Sequence, residues 1–87
     1  MEIHYFAAAR AAAGTSVENV GRPAPGTTLG QLLGELADQH SGTTDSGLGL
    51  AEIFERCTFL VDGANSELSA LVEGASRVDV LPPFAGG

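Results

Sequence analysis

Lysine and tryptophan are missing from these 87 residues, and cysteine, methionine and tyrosine each occur once. Without lysine there is no side-chain amine, so copies of the chain cannot be joined to one another by isopeptide bonds through their side chains. Basic residues are scarce altogether: Arg10, Arg22, Arg56 and Arg77 stand against 11 acidic residues, a net charge of −7. Nucleic acids and anionic membranes are bound by basic surfaces that neutralise phosphate, so this balance disfavours both. It favours a protein partner with a basic face. The lone Cys57 excludes an internal disulfide and a cysteine-only metal site, and its expected role is that of a small buried residue in a strand. Two histidines 36 positions apart supply no ligand spacing, so no metal centre is expected. No apolar run approaches the roughly 20 residues that span a bilayer. The start lacks the basic region and cleavage pattern of a signal peptide, and the expected location is cytoplasmic. Despite 12 glycines there is no dinucleotide-binding or phosphate-loop pattern. Ser, His and Asp occur in no context that would make them a triad.

What is present is enough for one small domain, residues 1–87. A chain of this length hides roughly 60–65% of its unfolded surface, which supports one sheet and a helix or two rather than a deep cleft. A hydrophobic content of 44% argues for a folded globule. In "MEIHYFAAAR" Ile3 and Tyr5 alternate with His4 and Phe6, which predicts a strand to about Phe6. The alanines that follow predict a helical turn closed by Gly14. "TSVENV" (15–20) reads as a second strand pairing back on the first, and "GRPAPG" (21–26) as a loop.

Residues 28–40 give the clearest element. Thr28 and Gln31 form a capping-box pattern, and Leu29, Leu32, Leu33, Leu36 and Ala37 form one apolar stripe at helical spacing. His40 falls in the last turn, where a cation suits the helix dipole. His4 is expected at an exposed strand position. Residues 41–47 read as a polar loop, 48–56 as a short helix, and "CTFLVDG" as a strand ended by an Asp-Gly turn. Residues 66–71 read as a turn of helix. "RVDVL" is a final strand with Val78 and Val80 on one face, stopped by Pro82 and Pro83, which cannot donate to a ladder. Strand, strand, helix, strand, strand describes an α+β fold, a small mixed sheet packed on one main helix, and a β-grasp satisfies that order.

The side chains describe no enzyme, which leaves the terminal carboxylate as the reactive group. Gly86 and Gly87 have no β-carbon and can thread a channel too narrow for other residues. By composition alone, two glycines would fill the last two positions about one time in fifty. A free carboxylate is a poor acyl donor, but joining it to a nucleotide phosphate supplies a leaving group for attack by a sulfur nucleophile. The prolines would hold the tail extended and lower the entropy lost when a partner engulfs it, with Leu81 and Phe84 as apolar anchors.

The segments "IHYFAAARAAAGT" and "VDVLPPFAGG" resemble the small, sulfur-carrier subunit of molybdopterin synthase, the MoaD family. Its members open with a strand, a phenylalanine-alanine pair and an arginine before a glycine. They close with an apolar strand, Pro-Pro, an aliphatic or aromatic residue, a small residue and Gly-Gly. The similarity covers the whole chain in length and element order and is specific at the two ends.

The resemblance implies a ubiquitin-like β-grasp with a flexible Gly-Gly tail, residues 82–87 forming the extended reactive segment. It implies that a ubiquitin-activating-like adenylyltransferase, using ATP, adenylates Gly87, and that a sulfur-transfer system converts it to a thiocarboxylate. The chain itself would bind no cofactor. The tail, with Gly86 and Gly87 leading, would enter the large synthase subunit, in a heterotetramer of two small and two large subunits. Sulfur would pass there to cyclic pyranopterin monophosphate, generating molybdopterin. By family position Phe6, Arg10, Leu81, Pro82, Pro83 and Phe84 would contact the partner, although an ion pair within the chain is an equal expectation for Arg10. Where the family often has Gly-Asp-x-Val before its last strand, this chain has Gly74, Ala75, Ser76 and Arg77, a change expected to alter the turn and not the chemistry. The alternatives are a thiocarboxylate carrier for thiamin or cysteine synthesis, a ubiquitin-like modifier, and a β-grasp adaptor with no reactive terminus.

Overall fold

The computed structural model describes residues 1–44 and 47–83. Strand β1 (Glu2–Tyr5) realises the opening alternation, with Ile3 and Tyr5 buried and Glu2 exposed. The alanine run forms helix α1 (Ala7–Ala13), which ends where Gly14 adopts φ 77 and donates its N–H to the Arg10 carbonyl. Strand β2 (Val17–Asn19) returns antiparallel to β1.

Helix α2 (Leu29–Gln39) starts with both reciprocal bonds of the capping box between Thr28 and Gln31 in place. Its first backbone N–H groups, which have no partner inside a helix, are taken by the chain passing over that end. Leu29 donates to the Ala70 carbonyl at 2.8 Å and Gly30 to the Leu68 carbonyl at 2.9 Å. Helix α3 (Leu50–Phe54) packs on α1 and α2. Strands β3 (Thr58–Val61) and β4 (Ala64–Ser66) form a hairpin across Asp62 and Gly63, at φ 49 and φ 84, the pair of positive angles that a type I′ turn demands. Strand β5 (Arg77–Leu81) closes the fold.

The sheet has five strands in the order β2-β1-β5-β3-β4. Its centre is a parallel pair, β1 beside β5, with Glu2 opposite Arg77 and Tyr5 opposite Val80. Strand β3 runs antiparallel on the other side of β5, with Thr58 opposite Leu81. This mixed sheet gripping a helix is a β-grasp. The core lies between sheet and helices, where Ile3, Tyr5, Phe59, Val78 and Val80 meet Leu29, Leu32, Leu33 and Leu36 of α2 and Leu50, Ile53 and Phe54 of α3.

Five details depart from the sequence reading. β4 is a further strand, formed because the tight turn folds the chain back onto β3. After it residues 68–69 make a turn rather than a turn of helix. Cys57 precedes its strand instead of lying within it, and is half-buried. His40 is the C-cap of α2 in extended backbone, not part of the last turn, and its ring serves a carboxylate instead of the helix dipole. His4 is also more buried than expected, its side chain 17% accessible, because it lies against Glu2.

Candidate functional site

The end of β5 is where the predicted contact residues meet the fold. Because β1 and β5 run parallel, the residue after β1 and the residues after Val80 emerge at the same end of the sheet. Phe6 donates its N–H to the Val80 carbonyl at 3.3 Å, so it lies beside Leu81. Its side chain is 40% exposed, a large apolar ring left on the surface at the entrance to α1. Ala7 next to it has φ 49, a left-handed conformation that a non-glycine residue pays for and that turns the chain sharply from strand into helix.

Strand alternation puts His4, Phe6, Val17, Leu60, Asp79 and Leu81 on the sheet face turned away from the helices. Val17 is 40% exposed, and Leu60 and Leu81 are half-buried. Phe6 and Leu81 therefore belong to one surface, with the half-buried Pro82 and the exposed Pro83 following directly after Leu81. Arg10 is exposed on α1 and makes no ion pair or side-chain hydrogen bond among the described residues, so the internal ion pair that was one expectation for it is not formed there. Phe84, Gly86 and Gly87 lie outside the described residues. The sequence reading missed Val17 and Leu60, although alternation along their strands was a signal that could have found them. Nothing in the sequence marks the left-handed Ala7.

Charges sit between these apolar positions in matched pairs. His4 Nε2 donates to Glu2 Oε1 at 2.8 Å, and Arg77 Nε donates to Asp79 Oδ1 at 2.6 Å. The hydrogen bond from His4, aided by the charges of His4 and Arg77, holds the Glu2 carboxyl below its ordinary range. Asp79 is only 8% exposed, and its pairing with Arg77 satisfies a carboxylate that would otherwise be costly to bury.

Continuing the β3–β5 register one step past Thr58 and Leu81 places Cys57 across from Pro82, at the exit of the tail. The thiol is not activated. It donates to the Ile53 carbonyl at 3.2 Å, and burial pushes its pKa up to about 11. A thiolate is the nucleophilic form, so Cys57 is a packing residue beside the tail.

A third polar group lies within the fold. Tyr5 donates its hydroxyl to Glu18 Oε1 at 2.8 Å, His40 Nε2 donates to the same oxygen at 2.7 Å, and the two rings meet edge to face. Burial, and after it Glu18, pushes the Tyr5 hydroxyl pKa well above its ordinary value. A tyrosine kept protonated and pointing at a structural carboxylate ties β1, β2 and the end of α2 together. It faces no cleft. Among the described residues no three His, Cys, Asp or Glu side chains gather as a metal ion would require, and no helix is long and apolar enough to cross a membrane.

The geometry is a partly apolar face around the end of β5, with His4, Glu2, Arg77 and Asp79 paired among its apolar residues. The profile of the ThiS family matches residues 3–87. This chain belongs to the ThiS family. A curated relative, the molybdopterin synthase sulfur carrier subunit of Mycosarcoma maydis, is 29% identical over 91 residues, covering 100% of this chain and 92% of that protein. Among solved structures, SAMP1 from Haloferax volcanii superposes with a TM-score of 0.73 at 22% identity, covering 99% of this chain and 97% of that one. A Pyrococcus furiosus chain assigned as molybdopterin converting factor, subunit 1, superposes with a TM-score of 0.67 at 23% identity, covering 95% of each chain. At such identities the two structures establish the fold, the ubiquitin-like β-grasp.

Proposed function

We propose that this ThiS-family chain is the sulfur-carrier subunit of a molybdopterin synthase, and that it carries sulfur as a thiocarboxylate on Gly87. The observation that carries the reading is the junction at Leu81. A family match that runs to residue 87 crosses a strand held on both sides, whose ladder stops at Pro82. The fold supplies a rigid base for the residues that follow it.

In this reading an ATP-dependent activating enzyme joins the Gly87 carboxylate to the nucleotide phosphate, and pyrophosphate leaves. A sulfur nucleophile from a transfer system then displaces the nucleotide. The tail enters the large synthase subunit and gives its sulfur to cyclic pyranopterin monophosphate. Phe6, Leu81, Pro82, Pro83 and Phe84 hold the partner around the tail, and the unpaired Arg10 meets an acidic group on it. Gly86 passes through the narrowest part of the channel because it has no side chain. The name of the Mycosarcoma maydis relative favours molybdopterin over thiamin or cysteine synthesis as the destination.

The test is intact-mass measurement after incubation with an activating enzyme, ATP and a sulfur donor, followed by addition of large subunit and cyclic pyranopterin monophosphate. The chain is expected to gain the mass difference of sulfur for oxygen and then to lose it as molybdopterin forms. Sulfuration without transfer to the pterin would redirect the carrier to another product. No sulfuration would end the carrier reading.

A further inference from the structure

At the end of the sheet opposite the tail, a cleft of about 580 Å³ opens between the starts of β1 and β5, the end of β2 and the loop after it. Its volume falls within the range of small-molecule sites. In a chain with four basic residues and a charge of −7, two of the four, Arg22 and Arg77, line this cleft.

Their donors are largely unspent. Arg22 has no side-chain hydrogen bond or ion pair among the described residues, and the single side-chain bond of Arg77 uses Nε alone, leaving its two terminal nitrogens. Ser76 and Asn19 also line the cleft, and their side chains make no hydrogen bond among the described residues. Two arginines, a serine and an asparagine thus line one space. One carboxylate, Glu2, borders it, and its oxygen Oε1 is already engaged by His4.

We propose that this cleft is a binding site for a phosphate group carried on a small molecule. The donor inventory selects the ligand. Arg22 offers five N–H donors and the free end of Arg77 four more, a supply that exceeds what the two oxygens of a carboxylate accept and suits the three terminal oxygens of a phosphate. Guanidinium forks match phosphate geometry and, unlike lysine, stay charged at every physiological pH. Glu2 sets the limit on affinity by like-charge repulsion.

The site is independent of the tail. Glu2 and Arg77 begin the parallel strands whose other ends are Tyr5 and Leu81. At about 3.3 Å per strand residue, the two ends of β5 are separated by roughly 13 Å. A phosphorylated ligand bound here lies at the end of β5 away from Leu81.

The experiment is a titration of the isotopically labelled full chain followed by its backbone amide spectra. The probes are inorganic phosphate, acetate, and sodium chloride at matched ionic strength. Phosphate is expected to shift the amides of residues 19–22 and 74–77 saturably. Arg22→Ala should weaken the binding at least tenfold, Arg22→Lys should restore part of it, and Glu2→Gln should tighten it several-fold. Equal shifts from chloride, or an Arg22→Ala variant that binds as the natural chain does, would overturn the site. Acetate binding as tightly as phosphate would overturn the phosphate assignment. Should Arg22→Ala fail to fold, Glu2→Gln decides on its own, since unchanged or weaker binding in that variant contradicts the proposal.

Discussion

Asp62 shows how much one exposed side chain can hold in place. Its Oδ1 accepts the N–H groups of Ser76 at 2.9 Å and Arg77 at 3.0 Å, while its own N–H donates to the Arg77 carbonyl. The turn residue between β3 and β4 thereby fixes the start of β5. Asp62→Ala should cost about 1–2 kcal/mol, because two N–H groups lose their acceptor and alanine is less at ease at φ 49. For a domain this small that is a fall in melting temperature of roughly 5–15 °C, readable by calorimetry, with a smaller fall for Asp62→Asn. Cys57 supplies a second expectation at this scale. With its pKa at about 11 instead of 9.0, the native thiol holds about a hundredfold less thiolate at neutral pH, and alkylation should be slower by about that factor than in the unfolded chain. The sign for stability follows: the native state keeps its proton up to about pH 11 while the unfolded chain gives it up near pH 9, so this contribution is lost as pH rises between them. Urea melts at pH 8 and 10.5, compared with those of Cys57→Ala, would show whether the alkaline loss belongs to this thiol.

Elements were legible in the sequence where one local rule decides them. Period-two alternation located β1 and β5, the capping box and leucine spacing located α2, and the prolines located the end of the ladder. The misses share a cause, because contacts distant in sequence decided them. β4 exists only because Asp62 and Gly63 fold residues 64–66 onto β3. His40 left the helix because Glu18, 22 residues away, holds its ring. On the face around the end of β5, Phe6 and Leu81 were singled out from motif as expected contacts, whereas Val17 and Leu60 joined that face only once the register was known. That face predicts the effect of a charge at its edge. Leu81→Asp should leave the fold nearly intact, since the side chain is already half-exposed at the end of the sheet. Affinity for the large subunit should fall by about 3 kcal/mol, roughly a hundredfold, from desolvating an unpaired carboxylate. Calorimetric titration measures it, and near-unchanged affinity would move the anchor elsewhere.

At the scale of the whole molecule, the proposed function divides two tasks, with the core holding shape and the terminal residues carrying the group. Removing Gly87, or adding one residue after it, should abolish sulfuration and leave the melting temperature nearly unchanged. One residue displaces the carboxylate by roughly 3.3 Å, as far as the whole approach distance that attack on a phosphate allows. Intact-mass and calorimetric measurements on both variants test the two halves of this expectation, and sulfuration of an untrimmed, extended chain would sink it. The position of β5 has a mechanical consequence as well. The strand that leads into the tail is a central one, bonded to β1 on one side and β3 on the other. A partner drawing on the tail therefore pulls along two ladders at once. The load is shared by many hydrogen bonds in shear, where an edge strand would unzip them one at a time. Traction applied beyond Leu81 is borne by the whole sheet, so on the proposed function a partner can grip and release the chain without unravelling it.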